Sequence, residues 1–395
     1  MRHWNALAIF VFLLGQGSLA RAQTSFARNA AGPGWPPDSA SVRLQASLDN
    51  LLRLRDDGAA RAAYLWPPAA LETAALLDEL AGLEQAAGQP ASGYRLYLTN
   101  LVRLDSANYL LQLAALGVQD QTPRLRASFE LRAKRVGGRL LFYSPLQLNA
   151  ASWHQRQIGA IRFHYPGALD RKAAAAYAEQ AAFFDQKLSS VGVQTDYYVC
   201  GNLPGALRLV GIDSKADYQG DAHNSLSARR PGRLLVLSGD AAADRFDPHD
   251  LWHTRLRNVL AADSINKAVD EGCAFTYAGS WGIGWPQILS QFRAYARARP
   301  GADWLALYPT SASVSTGTQR PLRVSYAINA LIVQELERTQ GFGAVKELLS
   351  CGKYEPTNAR YFTTLERVAG ISRASFNTTV EALLRAARPA AADAR

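Results

Sequence analysis

The sequence predicts an α+β protein built from two units, and three observations carry that expectation. Leucines recur at helical spacing between positions 44 and 83. Apolar and polar residues then alternate with a period of two up to about residue 143. From about residue 155 strand-like and helical segments interleave, and the last part of the chain is mainly helical. The 395 residues are 48% hydrophobic, enough to fill two cores.

The chain opens MRHWNALAIFVFLLGQGSLARAQTSF. Arg2 and His3 lead an apolar stretch that ends in Ala20-Arg21-Ala22, a small-x-small cleavage signal. Residues 1–22 therefore read as a secretory signal peptide. The run is too short to favour a membrane span, and no later segment is long enough. No cysteine lies near the cut to carry a lipid anchor. The mature chain is expected to be exported, to the periplasm or the extracellular space, without an integral membrane span. Its formal charge of +10 falls by two when Arg2 and Arg21 leave with the leader. The excess is arginine scattered through an alanine-rich chain, with no block of like charge. Compositional bias accounts for it, and without a nucleic-acid motif no nucleic-acid partner is expected.

Residues 23–40 include AAGPGWPPDSA, a Pro/Gly-rich linker. The first unit is expected over 41–150. Leu44, Leu48, Leu51 and Leu52 fit one helix face, and Leu76, Leu77, Leu80 and Leu83 fit another. YRLYLTNLVRL and NYLLQLAAL read as strands. In RLRASFELRAKRVGGRLLFYSPL, Leu125, Ala127, Phe129, Leu131 and Ala133 alternate with polar residues, and Gly137-Gly138 marks a tight hairpin. Helices followed by a curved antiparallel sheet resemble the cystatin-like or nuclear-transport-factor-like cone. No catalytic constellation occurs here, so a binding or folding-support role is expected.

The second unit is expected over 155–388. IGAIRFHYPG reads as a strand, DRKAAAAYAEQAAFFDQKLSSVG as a helix and TDYYVCG as a strand; GALRLVG and RRPGRLLVLSG are further short strand candidates. In YAINALIVQELERTQGFGAVKELLS, Ile328, Leu331, Ile332 and Leu336 form an apolar stripe that Gly341 ends. SRASFNTTVEALLRAAR is the last helix, and residues 389–395 form a loose tail. Of Cys200, Cys273 and Cys351, an oxidising compartment allows one pair to bridge. Their spacing matches no zinc ribbon or redox motif.

The chemistry concentrates in FDPHDLWHTRLRNVL, positions 246–260. Asp247 suits a helix N-cap and Pro248 the first helical position. A helix starting there puts His249 and His253 one turn apart on the same face, a spacing that suits two ligands of one metal. A catalytic zinc needs a third protein ligand and an open position. SINKAVDEGCAFTYAGS reads as a second helix closed by Gly279, and it offers Glu271. Asp247, Asp263, Asp270 and Asn266 are candidates to orient the ligand imidazoles.

These residues resemble the gluzincin metallopeptidases, the clan of thermolysin and the zinc aminopeptidases. His249-Asp250-Leu251-Trp252-His253 is similar to H-E-x-x-H, and Val269-Asp270-Glu271-Gly272-Cys273-Ala274 to the helix that carries the glutamate ligand. The resemblance covers roughly the C-terminal three-fifths of the chain in motif order. It implies Zn²⁺ on His249, His253 and Glu271, and a peptide or protein substrate hydrolysed by zinc-activated water. It also implies that RLLVLSG is a sheet edge against which peptides lie. Asp250 departs from the family's glutamate base by one methylene. It either serves through a second water at reduced rate or leaves a metal site without hydrolysis, a peptidase-like pseudoenzyme that binds peptide or cell-envelope partners. Tyr326, or else Tyr277, would steady the oxyanion. Trp281 and Trp285, in the loop GSWGIGWPQI, are expected as core or loop anchors rather than substrate contacts. His164 is expected to be structural, and His154 and His223 to lie in polar loops. Cys273 is expected as a disulfide partner or buried thiol rather than a ligand.

Overall fold

The computed structural model describes residues 27–28, 39–54, 57–85, 94–119, 121–190, 192–215, 225–239, 246–314 and 321–387. The leader 1–22, most of the linker 23–40 and the tail 389–395 lie outside the described residues. The fold is mixed α+β, with a sheet-based N-terminal part and a helical C-terminal part.

The first unit contains β1 (Ala27–Arg28), α1 (Ser39–Arg53), α2 (Gly58–Arg61) and α3 (Ala70–Gln85). They precede an antiparallel meander of β2 (Tyr94–Arg103), β3 (Asn108–Gln119), β4 (Thr122–Val136) and β5 (Arg139–Tyr143), with β1 parallel to β2 at its edge. The leucine stripes behave as their spacing predicts: Leu44, Leu48, Leu51 and Leu52 on α1 and Leu76, Leu77 and Leu80 on α3 are buried against the sheet. Alternation along β4 turns Ala127, Phe129, Leu131 and Ala133 into the same core, while Leu125 stays largely exposed. Gly137 and Gly138 both take positive φ in the β4–β5 hairpin, a turn open to residues without a Cβ.

After α4 (Leu146–Asn149), the chain forms the hairpin β6 (His154–Ile158) and β7 (Ile161–Tyr165), then α5 (Arg171–Leu188) and β8 (Gln194–Val199). GALRLVG is not a strand but part of a helix, α6 (Leu203–Val210). The flanks decide this. Asn202 caps the Gly205 N–H, Pro204 occupies the first turn, and Gly211 closes the end at φ 106°. The next strand, β9 (Ile212–Lys215), pairs with β4, so residues 203–215 cross the boundary at 150–155 and join the first core.

RRPGRLLVLSG holds the end of β10 (Ser225–Arg230), a turn and all of β11 (Arg233–Ser238), which pair as a hairpin. The second sheet runs β10-β11-β8-β7-β6. RLLVLSG is therefore an interior strand, not the expected edge. The Pro231-Gly232 turn folds β10 back along its whole length. This sheet is a wall between two cores. Tyr198, Leu226, Leu235 and Leu237 face the first, and Phe163, Tyr197, Leu234 and Val236 face the second. Coverage on both faces explains why β11 reads as a continuous apolar run.

The C-terminal part contains α7 (Pro248–Val259), α8 (Lys267–Tyr277), α9 (Trp285–Arg297) and α10 (Trp304–Leu307). The small ribbon β12 (Ser313–Val314) and β13 (Leu322–Arg323) leads into α11 (Val324–Gln340). The last helices are α12 (Phe342–Leu349), α13 (Ala359–Ala369) and α14 (Phe376–Ala386). The stripe Ile328, Leu331, Ile332 and Leu336 is buried, and Gly341 at φ 81° separates α11 from α12. Inside, Asn329 is fully buried and satisfied: its Nδ2 donates to Tyr308 Oη and the Ser325 carbonyl, and its Oδ1 accepts from Tyr361. Among the described residues no helix is long and apolar enough to cross a membrane.

Helix α8 lies against α11 with no room for a side chain at the crossing. A Cβ on Gly272 would sit 2.6 Å from Asn329 Cβ and 2.8 Å from the Ala330 nitrogen. Gly272→Ala should therefore push the helices apart and destabilise the chain by about 1–3 kcal/mol. Gly343→Ala, on α12 with open space around the added carbon, should leave stability equal or raise it by up to about 1 kcal/mol. Denaturant unfolding of the two variants checks the contrast.

Candidate metal centre

Helix α7 starts as its sequence predicts. Asp247 accepts the His249 backbone N–H at 2.8 Å, and Pro248 fills the first position. One turn separates His249 from His253, and their rings meet edge to face with centroids 4.8 Å apart. Their Nε2 atoms are 3.1 Å apart. Glu271, on α8, brings Oε2 to 3.5 Å from His249 Nε2 and Oε1 to 4.0 Å from His253 Nε2. One ligand atom from each of these half-buried residues lies within 4.8 Å of the other two, so the cluster can hold a metal ion. Donors placed tetrahedrally about 2 Å from an ion are roughly 3.3 Å from one another, close to the spacings found.

The outer ring nitrogens determine what the inner ones are. His249 Nδ1–H donates to the Gly279 carbonyl at 2.8 Å, and His253 Nδ1–H donates to Asp270 Oδ1 at 2.9 Å. A carbonyl and a carboxylate only accept, so each neutral ring keeps its proton on Nδ1 and presents a bare Nε2. Three electron pairs then face one another across a few ångströms. That arrangement calls for a cation between them, either a metal ion or a proton.

The electrostatics of the ion-free cluster agree. Burial opposes charge on His249, but the Glu271 carboxylate, helped by the Gly279 carbonyl, pushes the ring up to about 9. Burial also opposes charge on Glu271, but His249 and His253 hold its carboxyl below the ordinary range. Without a metal, a proton shared toward His249 fills the same electrostatic role.

Of the four residues proposed to orient the imidazoles, Asp270 is the one in place. Asp247 and Asn266 cap α7 and α8 instead, and Asp263 sits exposed between them. Asp270 is buried and takes a second hydrogen bond, from Trp252 Nε1 at 3.0 Å, on the same oxygen that His253 uses. Two parts of the site escape sequence reading. The Gly279 carbonyl is backbone, with no side-chain signature. Trp252 looks like an ordinary core residue; its helical offset from His253 and the adjacent Asp270 were the available hints.

The candidate catalytic residues are placed unequally. Asp250 is exposed on α7, and its carboxylate makes no bond to the three ligands. Its charge is felt by Tyr177 on α5, a phenol already pushed far up by burial. Tyr326, at the start of α11, packs its ring 5.9 Å from Phe275, which in turn lies 6.0 Å from His249. Burial, with Glu271 adding to it, pushes the Tyr326 hydroxyl up to about 12. Tyr277 is committed elsewhere. Its hydroxyl donates to Glu337 at 2.6 Å, and Glu337 also pairs with Lys187. Lys187 in turn sits 4.4 Å from the Tyr277 ring centre.

Cys200, Cys273 and Cys351 are all free thiols, so no pair bridges. Cys273 is buried on α8 and belongs to the core. His164 is structural: it bonds Asp196 at 3.2 Å and stacks on Tyr198. His154 is exposed at the start of β6, and His223 lies outside the described residues. Trp285 is a core anchor, whereas Trp281 is 50% exposed. Trp281 stands in a tight turn in which Ser280 and Ile283 exchange both backbone hydrogen bonds, at 2.9 and 3.0 Å. Its φ of 53° is left-handed, a conformation that strains a bulky residue by about 1–3 kcal/mol.

Below about pH 9 the ion-free His249 carries a proton that a metal must displace. Metal affinity should therefore climb as pH rises and level off above about 9. Near neutral pH about one proton should leave per ion bound; calorimetry in two buffers of different ionisation enthalpy counts it, and buffer-independent heats would contradict this. Asp270→Asn should weaken metal binding about 10- to 100-fold, measured by chelator competition. No protein-family profile, curated protein or solved structure matches this chain.

Proposed function

We propose that this chain is an exported zinc metallopeptidase that hydrolyses peptide bonds, with His249, His253 and Glu271 as the zinc ligands. The observation that carries the reading is the convergence of two bare Nε2 atoms and one carboxylate, each ring locked from behind. Two imidazoles and one carboxylate are the donor set of a catalytic zinc, which leaves a position open. When bound, the ion supplies Lewis acidity, acidifying water and polarising a carbonyl. The chain's own groups do the rest. Gly279 and Asp270 keep the imidazole protons away from the centre. The Tyr326 hydroxyl, protonated well above neutral pH, is available to donate to a developing oxyanion. Asp250 is the one carboxylate beside the ligands on α7 that neither caps a helix nor holds a ring. Export rests on the leader-like residues 1–22.

A second reading has an observation of its own. Asp250 is exposed, one methylene short of a glutamate, and without a bond to the ligand cluster. This favours a silent peptidase-like module that binds peptide or envelope partners.

Metal analysis and a peptide-library assay on the purified chain, Asp250→Glu, Asp250→Ala and His249→Ala test both readings. For the peptidase, zinc should be stoichiometric in all but His249→Ala. Asp250→Ala should lose about 100-fold in rate or more, and Asp250→Glu should match or exceed the parent. Zinc retained with no cleavage by the parent or by Asp250→Glu would establish the silent module. Absence of zinc would remove both.

A further inference from the structure

We propose that Trp252 is a positioning residue for the metal centre, whose indole N–H, acting through Asp270, fixes the imidazole of His253 and so raises affinity for the ion. This role needs only the metal-binding part of the function proposed above, not peptide hydrolysis. Trp252 and His253 are neighbours on α7, and both donate to one atom of α8. The indole Nε1–H reaches Asp270 Oδ1 at 3.0 Å, and the His253 Nδ1–H reaches the same oxygen at 2.9 Å. A carboxylate oxygen offers about two acceptor directions. The indole takes one, which leaves His253 a single direction along which its ring can bond Oδ1. The opposite edge of that ring presents Nε2, 3.1 Å from His249 Nε2 and 4.0 Å from Glu271 Oε1. A swing of the imidazole about Oδ1 would carry Nε2 out of the cluster, so whatever fixes the rear bond also fixes the donor in front.

The indole has no freedom to give way. It is fully buried, and rings from three helices hold it. Phe184 of α5 meets it edge to face with centroids 5.3 Å apart, Tyr277 of α8 lies at 5.2 Å and Phe342 of α12 at 6.4 Å. Tyr277 is anchored in turn, by its hydroxyl bond to Glu337 of α11. An indole has one polar atom, a donor, and burial obliges that donor to find an acceptor. In this aromatic surround the acceptor is the buried carboxylate that holds a ligand ring. An apolar ring would serve packing alone and would bond nothing. The N–H is what joins this packed cluster to His253.

The test uses the full chain and zinc, with Kd read by chelator competition. Replacing Trp252 by benzothienylalanine exchanges the N–H for sulfur and keeps the bicyclic shape; Trp252→Phe is the encoded counterpart. Both should weaken zinc binding about tenfold. In an Asp270→Ala background the same replacements should change Kd by less than about twofold, because the acceptor through which the indole acts is gone. Equal weakening in both backgrounds would make Trp252 a packing residue, and an unchanged Kd in the parent background would deny it any role at the ion. Either result overturns the proposal and leaves the zinc site standing. Cobalt(II) in place of zinc gives a second readout that does not need Asp270→Ala to fold. Its visible absorption follows ligand geometry and should shift on either replacement at Trp252; bands that stay in place overturn the proposal. A parent chain that binds neither zinc nor cobalt removes the metal site and this role together.

Discussion

Two hydrogen bonds on the outer edges of the imidazoles decide the character of this molecule. The Gly279 carbonyl and the Asp270 carboxylate take the Nδ1 protons of His249 and His253. With those protons fixed outward, the Nε2 lone pairs must point at each other and at Glu271. Two histidines a turn apart on a helix are otherwise unremarkable surface or core residues. The outer bonds turn them into a donor set that only a cation satisfies. A half-buried carboxylate and two bare nitrogens are unfavourable neighbours unless positive charge lies among them.

The packing around the site holds those two bonds in place. Asp270 sits on the inner face of α8, tied to α7 twice, by Trp252 and by His253 through one oxygen. Helix α8 is pressed onto α11 at Gly272, where a single extra carbon has no space. Helix α11 is in turn keyed by Asn329, which binds α10's neighbour Tyr308 and α13's Tyr361. Gly279 is locked by its own turn. Both imidazoles therefore stand on buried, hydrogen-bonded supports, the condition under which a site keeps its geometry without its ion.

The candidate catalytic residues lie outside this supported set. Asp250 is exposed, and Tyr326 packs its ring against Phe275, which in turn lies beside His249. The groups that can hold an ion are fixed by packing, whereas Asp250 is exposed and makes no bond to them. The structure therefore shows a cluster that can hold a cation, and the chemistry proposed for it rests on Asp250 and Tyr326.

The sequence by itself determined whatever follows from local rules. The cap at Asp247 and Pro248 set the start of α7, and with it the shared face of His249 and His253. Period-two alternation located β4, and leucine spacing located α1 and α3. It misjudged GALRLVG, where a short apolar run matched a strand while Asn202, Pro204 and Gly211 already spelled a helix. The resemblance implied an edge position for RLLVLSG, which the pairing of β10 overturns, because being an edge is a property of the neighbouring strand and not of the strand itself. Only the tertiary structure selected Asp270 among four acidic or amide candidates, brought the Gly279 carbonyl to His249, and gave Tyr277 to Glu337. The reason is physical. Helical and strand periods are written along the chain, but a hydrogen bond between residues thirty apart depends on how two helices and a turn come to rest against each other.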